Sequence, residues 1–210
     1  MLEAHWVLFI IASIAVIATP GQDMMLVMSR SIAQGVRAGV VSAAGVSVGL
    51  VGHTLLAALG LGAVLRASEW LFTSIKLIGA AYLIYLGLQL LLTKAHALSL
   101  STHAARPLHK VFFDGAISNL MNPKIAVFYF AFLPQFVTPS AARPALTVLA
   151  LGFTFAALTF FIKAPVGLGA GYLSGWLRAR PRVLQWVHRT CGGVMIGLGL
   201  KLALDKPLAN

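Results

Sequence analysis

Two short polar breaks within long apolar runs hold the residues best suited to chemistry. Thr19-Pro20-Gly21-Gln22-Asp23 interrupts an apolar run that begins at Trp6, and Asn119-Leu120-Met121-Asn122-Pro123-Lys124 interrupts a second run about a hundred residues later. Proline removes a backbone donor and clashes with the carbonyl four residues back. A carboxylate at the centre of a membrane costs on the order of 3 kcal/mol. Breaks that are this unfavourable in an apolar segment indicate a polar site.

Each break predicts a helix that ends and then restarts. Pro20 disfavours helix at the residue before it and suits the first helical position, so we expect Thr19 to be the N-cap and Gln22 to complete a capping box. In the second break we expect Asn122 to be the N-cap and Pro123 the first helical residue. Both restarts would leave free N–H groups and a positive dipole end, which suit an anion such as a carboxylate.

Asp23 is the one carboxylate that we place well inside an apolar run. The other acidic residues fall at the ends of the predicted spans: Glu3, Glu69, Asp114 and Asp205. Asp23 either receives an ammonium group or a proton, or stabilises the first turn of the restarted helix. The two interpretations are compatible.

Three lysines share the apolar runs with Asp23. Lys124 lies beside the second break and Lys163 lies midway along its run next to Pro165, so we expect both at a cavity. Lys76 lies about two turns into its run and either reaches the cavity or snorkels outward. One carboxylate against two or three lysines is unbalanced. An incoming anion, a deprotonated lysine or helix C-terminal carbonyls must supply the difference.

Polar residues without fixed charge complete the candidate site. Asn119 and Asn122 belong to the second break, Gly21 belongs to the first, and His53 lies in a Gly- and Ala-rich run. His53 either carries protons or is simply hydrogen-bonded. The spans contain no Ser/His/Asp set and no metal motif, so the sequence predicts no enzyme, no metal and no other cofactor.

The composition predicts an integral membrane protein. Charged residues make up 10% of the 210 residues, against roughly 25% in a soluble domain. The net charge of +11 reflects basic loops that set topology and contact membrane lipid, and we expect no nucleic-acid partner. The first basic residue is Arg30, so we expect the first apolar run to be a retained span and not a cleaved signal.

Long apolar runs predict an all-α fold of six transmembrane helices in a single membrane domain, 1–210. The spans cover about 5–29, 38–65, 69–92, 111–133, 144–175 and 185–204. The odd-numbered loops hold nine lysines and arginines and the opposite side holds four. This bias predicts cytoplasmic odd-numbered loops and both termini on the outer side of the membrane.

Matching features in the two halves predict an inverted repeat. Pro20 and Pro123 are 103 residues apart, and the Gly-Leu-x-Leu segments that begin at Gly87 and Gly199 are 112 apart. We therefore divide the chain into repeat 1 (about 1–94), a cytoplasmic loop (about 95–110) and repeat 2 (about 111–206). Three spans per repeat place the repeats in opposite orientations, with helices 1 and 4 broken near the midplane. Six unrelated helices with proline kinks are the alternative.

Paired glycines predict close helix contacts. They stand four residues apart at Gly35 and Gly39, Gly45 and Gly49, and Gly193 and Gly197. Small residues at this spacing let helix backbones approach each other in a membrane. The same faces would permit a homodimer.

The motifs together resemble the LysE/RhtB family of bacterial amino-acid exporters. The resemblance rests on TPGxD at Thr19–Asp23, on NxxNPK at Asn119–Lys124, and on their order over essentially the whole chain. It implies a carrier in the bacterial inner membrane that is driven by an ion gradient, so that both termini would be periplasmic. The family's TPGxD falls on Thr19, Pro20, Gly21 and Asp23, its NPK falls on Asn122, Pro123 and Lys124, and its span 3 lysine falls on Lys76.

We expect export of a small zwitterionic amino acid by alternating access. The carboxylate would bind at the two helix N-termini beside Lys124 and Lys163, and the ammonium group would meet Asp23. A proton taken up by Asp23 from outside would release the ammonium group and give proton antiport. A passive channel or pore and a cation exporter of the same superfamily are the alternatives. The shortage of clustered carboxylates and histidines disfavours the cation exporter.

Overall fold

The chain folds into helices. The computed structural model describes residues 6–19, 21–67, 69–92, 105–137, 143–170, 172–173, 176 and 180–204. The α-helices, in chain order, are α1 (Trp6–Ala18), α2 (Gln22–Gln34), α3 (Val36–Ala67), α4 (Glu69–Leu92), α5 (Leu108–Leu120), α6 (Pro123–Val127), α7 (Pro144–Leu168) and α8 (Pro181–Leu204). A π-helical turn (Phe128–Phe132) and a 3-10 turn (Leu133–Phe136) continue α6.

Several of these helices are long and apolar enough to cross a membrane. Val36–Gly60 and Pro144–Leu168 qualify on their own, and the bent pairs α1–α2 and α5–α6 raise the number among the described residues to four if each pair is one span. Each pair bends by 53° at its break. The structure therefore agrees with an all-helical integral membrane protein, and the six-span inverted repeat stays a prediction.

The first break differs in detail from the prediction. Helix α2 begins at Gln22, and its N-cap is Gly21, whose backbone is extended. The predicted N-cap at Thr19 and the capping box with Gln22 are wrong, because the Thr19 hydroxyl donates to the Ala15 carbonyl 2.7 Å away, in the last turn of α1. Threonine hydroxyls commonly bond back to the preceding turn in this way. Pro20 lies outside the described residues.

The second break follows the prediction at its start. Asn122 is the N-cap of α6, its side-chain oxygen accepts the Lys124 N–H at 3.1 Å, and Pro123 is the first helical residue. The predicted second half of this span, to about residue 133, is helical throughout, but α6 changes into the π and 3-10 turns after Val127. Pro134 explains the change, since in an α-helix its ring would clash with the carbonyl of Phe130, and a wider turn avoids this contact.

Helix α3 is the central helix, and it packs against α2, α5 and α7. Glycines bring its backbone close to α5, where a Cβ added at Gly45 would collide with the Phe112 carbonyl and one added at Gly49 would collide with the Ala116 carbonyl. The predicted close contact at this glycine pair is confirmed. The pairing also shows that α3 and α5 run in the same direction.

Helix α4 packs against α8 through a second set of small residues. A Cβ added at Gly87 would collide with the Gly192 carbonyl, and one added at Gly199 would collide with the Ala80 carbonyl. The residue numbers rise along one helix as they fall along the other, so α4 and α8 are antiparallel. Gly193 and Gly197, in contrast, have no heavy atom near an added Cβ.

Candidate functional site

A cavity of about 80 Å³ lies where both helix breaks meet the middle of α3 and α7. A cavity needs roughly 10–15 Å³ by this measure for one water molecule, so this one has space for several waters or a small solute. Its wall contains most of the candidate site residues from the sequence: Thr19, Gly21, Gln22, Asp23, Asn119, Asn122, Lys124 and Lys163.

Asp23 is the central acceptor of the cavity. It lies in the first turn of α2, and its side chain is 5% exposed. Its Oδ2 atom accepts from the Asn119 amide at 2.8 Å and from the Lys163 ammonium at 3.3 Å. Its Oδ1 atom is buried and has no hydrogen-bond partner. Asp23 therefore has both predicted placements, at a helix N-terminus and at the cavity.

Asn119 connects three helices at the base of the second break. It lies in the last turn of α5 and is fully buried. Its amide donates to Asp23 on α2, and its backbone carbonyl lies 3.2 Å from Nε2 of His53 on α3, within hydrogen-bond distance. Its side-chain oxygen, Oδ1, is buried without a partner. Asn119 thus fixes the position of Asp23 and leaves one acceptor unused.

The two lysines of the cavity differ in their surroundings. Lys163, on α7, is buried and forms the ion pair with Asp23. Lys124, on α6, lines the cavity, and its ammonium group has no ion pair among the residues that the structure describes. One carboxylate and two ammonium groups therefore make the cavity wall positive.

The two helix restarts offer different backbone groups. At the start of α6, the side-chain oxygen of Asn122 accepts a hydrogen bond from the Lys124 N–H, and its backbone carbonyl accepts one from the Ile125 N–H. The prediction of free N–H groups at both restarts is therefore wrong for the second one. At α2 the cap residue is Gly21, which has no side chain to accept from the first turn. The N-terminus of α2 is the better anion site of the two.

The remaining candidates lie away from the cavity wall. His53 is buried behind Asn119 and packs on the Tyr129 ring at a centroid distance of 5.5 Å. Lys76 is 3% exposed within the protein and does not line the cavity, so outward snorkelling is wrong for this lysine. Pro123 is exposed beside its break and is also absent from the wall.

Sequence reasoning missed part of the wall on α7. Phe155 and Thr159 line the cavity together with Lys163. They precede Lys163 by eight and four residues, so all three share one face of the helix. Counting back from Lys163 in steps of four would have found them.

An ionic cluster away from the cavity was also missed. Arg30 near the end of α2 is 3% exposed and forms a 2.8 Å ion pair with Asp114 in the middle of α5. Arg106 approaches the same carboxylate at 3.2 Å, and the Gln34 amide donates to the Arg106 carbonyl. Because α2 leads away from the cavity, this cluster closes the space between α2 and α5 at one end.

The comparisons with known proteins cover nearly the whole chain. The family model of the LysE type translocator matches residues 14–206. An uncharacterised membrane protein of Pseudomonas aeruginosa is 31% identical in an alignment of 201 residues that covers 93% of each chain. The homoserine/homoserine lactone efflux protein of Salmonella typhimurium is 32% identical over 94% of this chain and 95% of its own. The leucine efflux protein of Klebsiella pneumoniae is 26% identical over 95% of this chain and 94% of its own. No solved structure matches.

Proposed function

Because the chain belongs to the LysE family of translocators, we propose that it exports a small amino acid or amino-acid derivative from the cytoplasm. The observation that carries this proposal is the cavity, in which Asp23, Lys124 and Lys163 surround a space of solute size. Two relatives are named as efflux proteins for leucine and for homoserine or its lactone. We place the protein in the bacterial inner membrane with both termini on the periplasmic side.

The substrate carboxylate binds between the N-terminus of α2 and Lys124. Gly21 at the start of α2 and Lys124 both line the cavity, so a dipole end and an ammonium group meet there. A substrate ammonium group would have to share Asp23 with Lys163, which already donates to it. The Oδ1 atom of Asp23 is the acceptor that stays available.

Six spans arranged as two inverted three-helix repeats would give this cavity its place at the midplane. The α4–α8 contacts support the repeat. A Cβ added at Gly87 meets Gly192 and Ile196, and one added at Gly199 meets Ala80 and Ile84. The two sets of contacts are equivalent under an offset of 112 residues, which is the offset between Gly87 and Gly199. Adding 112 to a residue of α4 gives its counterpart on α8, and subtracting 112 from a residue of α8 gives its counterpart on α4. The equal bend of 53° at the two breaks agrees with the same symmetry.

Closure at both ends of the cavity supports alternating access. The Arg30–Asp114 ion pair closes the α2–α5 end. Towards the other end, the Phe9 ring of α1 packs edge-on against Phe136 with centroids 5.2 Å apart. Because α1 leads towards the cavity and α2 leads away from it, these contacts lie on opposite sides. Opening either one alone would expose the cavity to one side of the membrane.

The pairing of Asp23 with Lys163 supports proton antiport. A proton bound to Asp23 would remove the charge that holds Lys163, and the two side chains would separate. Protonation of Asp23 from the outside would thus convert the cavity from one of its two forms, with and without bound substrate, to the other. Asp23 is the buried carboxylate among the described residues, so it is the group on which the coupling depends.

Efflux from vesicles tests the proposal. We expect the protein to catalyse saturable counterflow of a labelled amino acid or N-acyl amino acid, whereas a passive pore would give linear flux. Asp23→Asn should lower proton-driven transport at least tenfold, because the side chain no longer titrates. Asp23→Glu keeps a titratable carboxylate and should retain part of the coupling. Full proton-driven transport by Asp23→Asn would rule out the coupling role.

Homodimerisation would use the exposed glycine face of α8. Gly193 and Gly197 have open space where a Cβ would be added, whereas Gly45 and Gly49 already contact α5. In a monomer we expect lipid to cover this face.

A further inference from the structure

We propose that the cavity selects a small carboxylate with one net negative charge and an uncharged N–H or O–H donor beside it, such as an N-acylated amino acid. The zwitterionic parent amino acid binds more weakly. This substrate class narrows the proposed function and rests on it.

The charge of the cavity wall is the first reason. Asp23, Lys124 and Lys163 are the charged side chains of the wall, and together they leave one net positive charge. The N-terminus of α2 adds a partial positive charge. A charge enclosed in apolar surroundings is costly unless it is paired. A ligand with one negative charge neutralises the wall, whereas a zwitterion leaves the positive charge in place.

Lys163 is the second reason. Its ammonium group lies 3.3 Å from Asp23 Oδ2, where the ammonium group of a zwitterion would otherwise bind. The amide of Asn119 donates to the same oxygen at 2.8 Å. A substrate ammonium group would bring a second positive charge against a carboxylate that already has one. The protein itself therefore fills the ammonium position.

Two unused acceptors give the third reason. The Oδ1 atoms of Asp23 and Asn119 are buried without hydrogen-bond partners, and both residues line the cavity. Buried acceptors are normally paired. A neutral N–H or O–H group of the ligand supplies the missing donor without adding charge, as the amide of an N-acylated amino acid does.

Counterflow in liposomes that contain the purified protein tests the preference. We expect N-acetylalanine to move at least tenfold faster than alanine at equal concentration, with lysine at the level of protein-free liposomes. Transport of alanine at an equal or higher rate overturns the substrate class and leaves the proposed exporter intact. Failure of all three compounds to exceed protein-free liposomes counts against the proposed function as well.

Substitution of Lys124 tests the physical cause. Lys124→Gln removes the positive charge and should lower the ratio of N-acetylalanine to alanine transport at least tenfold, whereas Lys124→Arg should keep it. The matched control is Lys110→Gln, an exposed lysine on α5, which should leave the ratio unchanged. The ratio does not depend on how much of a variant folds. An unchanged ratio in Lys124→Gln overturns the proposal.

Discussion

Asp23 and Lys163 form a buried ion pair in which each charge compensates the other. Their side chains are 5% and 7% exposed, and their charged atoms lie 3.3 Å apart. Removal of one partner from a buried pair leaves an uncompensated charge, whereas removal of both can be almost neutral. The pair therefore stabilises the fold mainly by preventing the cost of an unpaired charge.

A double-mutant comparison should show this dependence. We expect Lys163→Met alone to destabilise the protein by about 3–5 kcal/mol, and Lys163→Met with Asp23→Asn to cost clearly less. Thermal unfolding of the purified protein in detergent would measure both. Equal losses in the single and double variants would contradict the proposed pairing.

At the scale of the helices, glycines decide which backbones can touch. Gly45 brings α3 against the Phe112 carbonyl of α5, and this contact holds α3 beside the second break. Gly193 on α8 has open space around it. The same residue type thus has a packing role at one position and none at the other within the described part of the chain.

Alanine at these two positions should have effects of opposite sign. Gly45→Ala adds a methyl group that collides with a backbone carbonyl, so we expect a loss of about 1–3 kcal/mol. Gly193→Ala meets nothing and should stabilise α8 by up to about 1 kcal/mol, because alanine favours helix over glycine. Unfolding temperatures of the two variants give the measurement. A stabilising Gly45→Ala would show that α3 and α5 do not approach this closely.

The start of a helix could be predicted from the sequence where neighbouring residues alone determine it. Asn122 and Pro123 were predicted correctly because an N-cap amide followed by proline leaves the backbone few alternatives. The prediction of Thr19 as an N-cap was wrong because its hydroxyl can bond to a following N–H or to a preceding carbonyl. Only the packed structure selects between these two partners. The six spans and the repeat depend on all the helices together and remain predictions.

The candidate site was predictable where polar residues interrupt apolar runs. This criterion found Asp23, Asn119, Lys124 and Lys163, which the structure brings to one cavity. It could not decide whether Lys76 and His53 line the cavity. That depends on how α3 and α4 are rotated about their axes against the neighbouring helices. The family resemblance read from the same motifs is confirmed by the family match over residues 14–206.

For the whole molecule, the ionic cluster at the α2–α5 end is the contact that the proposed alternating access would have to open. Arg30 is almost fully buried and depends on Asp114, whereas Arg106 is largely exposed and adds little to the same carboxylate. Loss of Asp114 therefore weakens the closure more than loss of Arg106.

Cysteine labelling should detect this difference. Cys191 is the one cysteine of the sequence and is replaced by serine for this experiment. With a cysteine placed at Thr159 in the cavity wall, we expect Asp114→Asn to raise the labelling rate from the cytoplasmic side about tenfold. A tenfold change corresponds to about 1.4 kcal/mol in the closed-to-open equilibrium. Arg106→Gln should change the rate less. Equal labelling of the Asp114→Asn and parent proteins would show that this pair does not control access.

The Asp23–Lys163 pair also bears on how the carrier returns after delivering its cargo. A transporter whose empty site holds an unpaired carboxylate cannot easily reorient until something fills the site, and it then works as an obligatory exchanger. Here the protein supplies its own cation to that carboxylate, but the ammonium group of Lys124 stays without an ion pair among the described residues. The same cost then applies to this unpaired cation. We therefore expect the unloaded return step to be slow, and the protein to exchange substrate across the membrane faster than it supports net export into a compartment that contains no substrate.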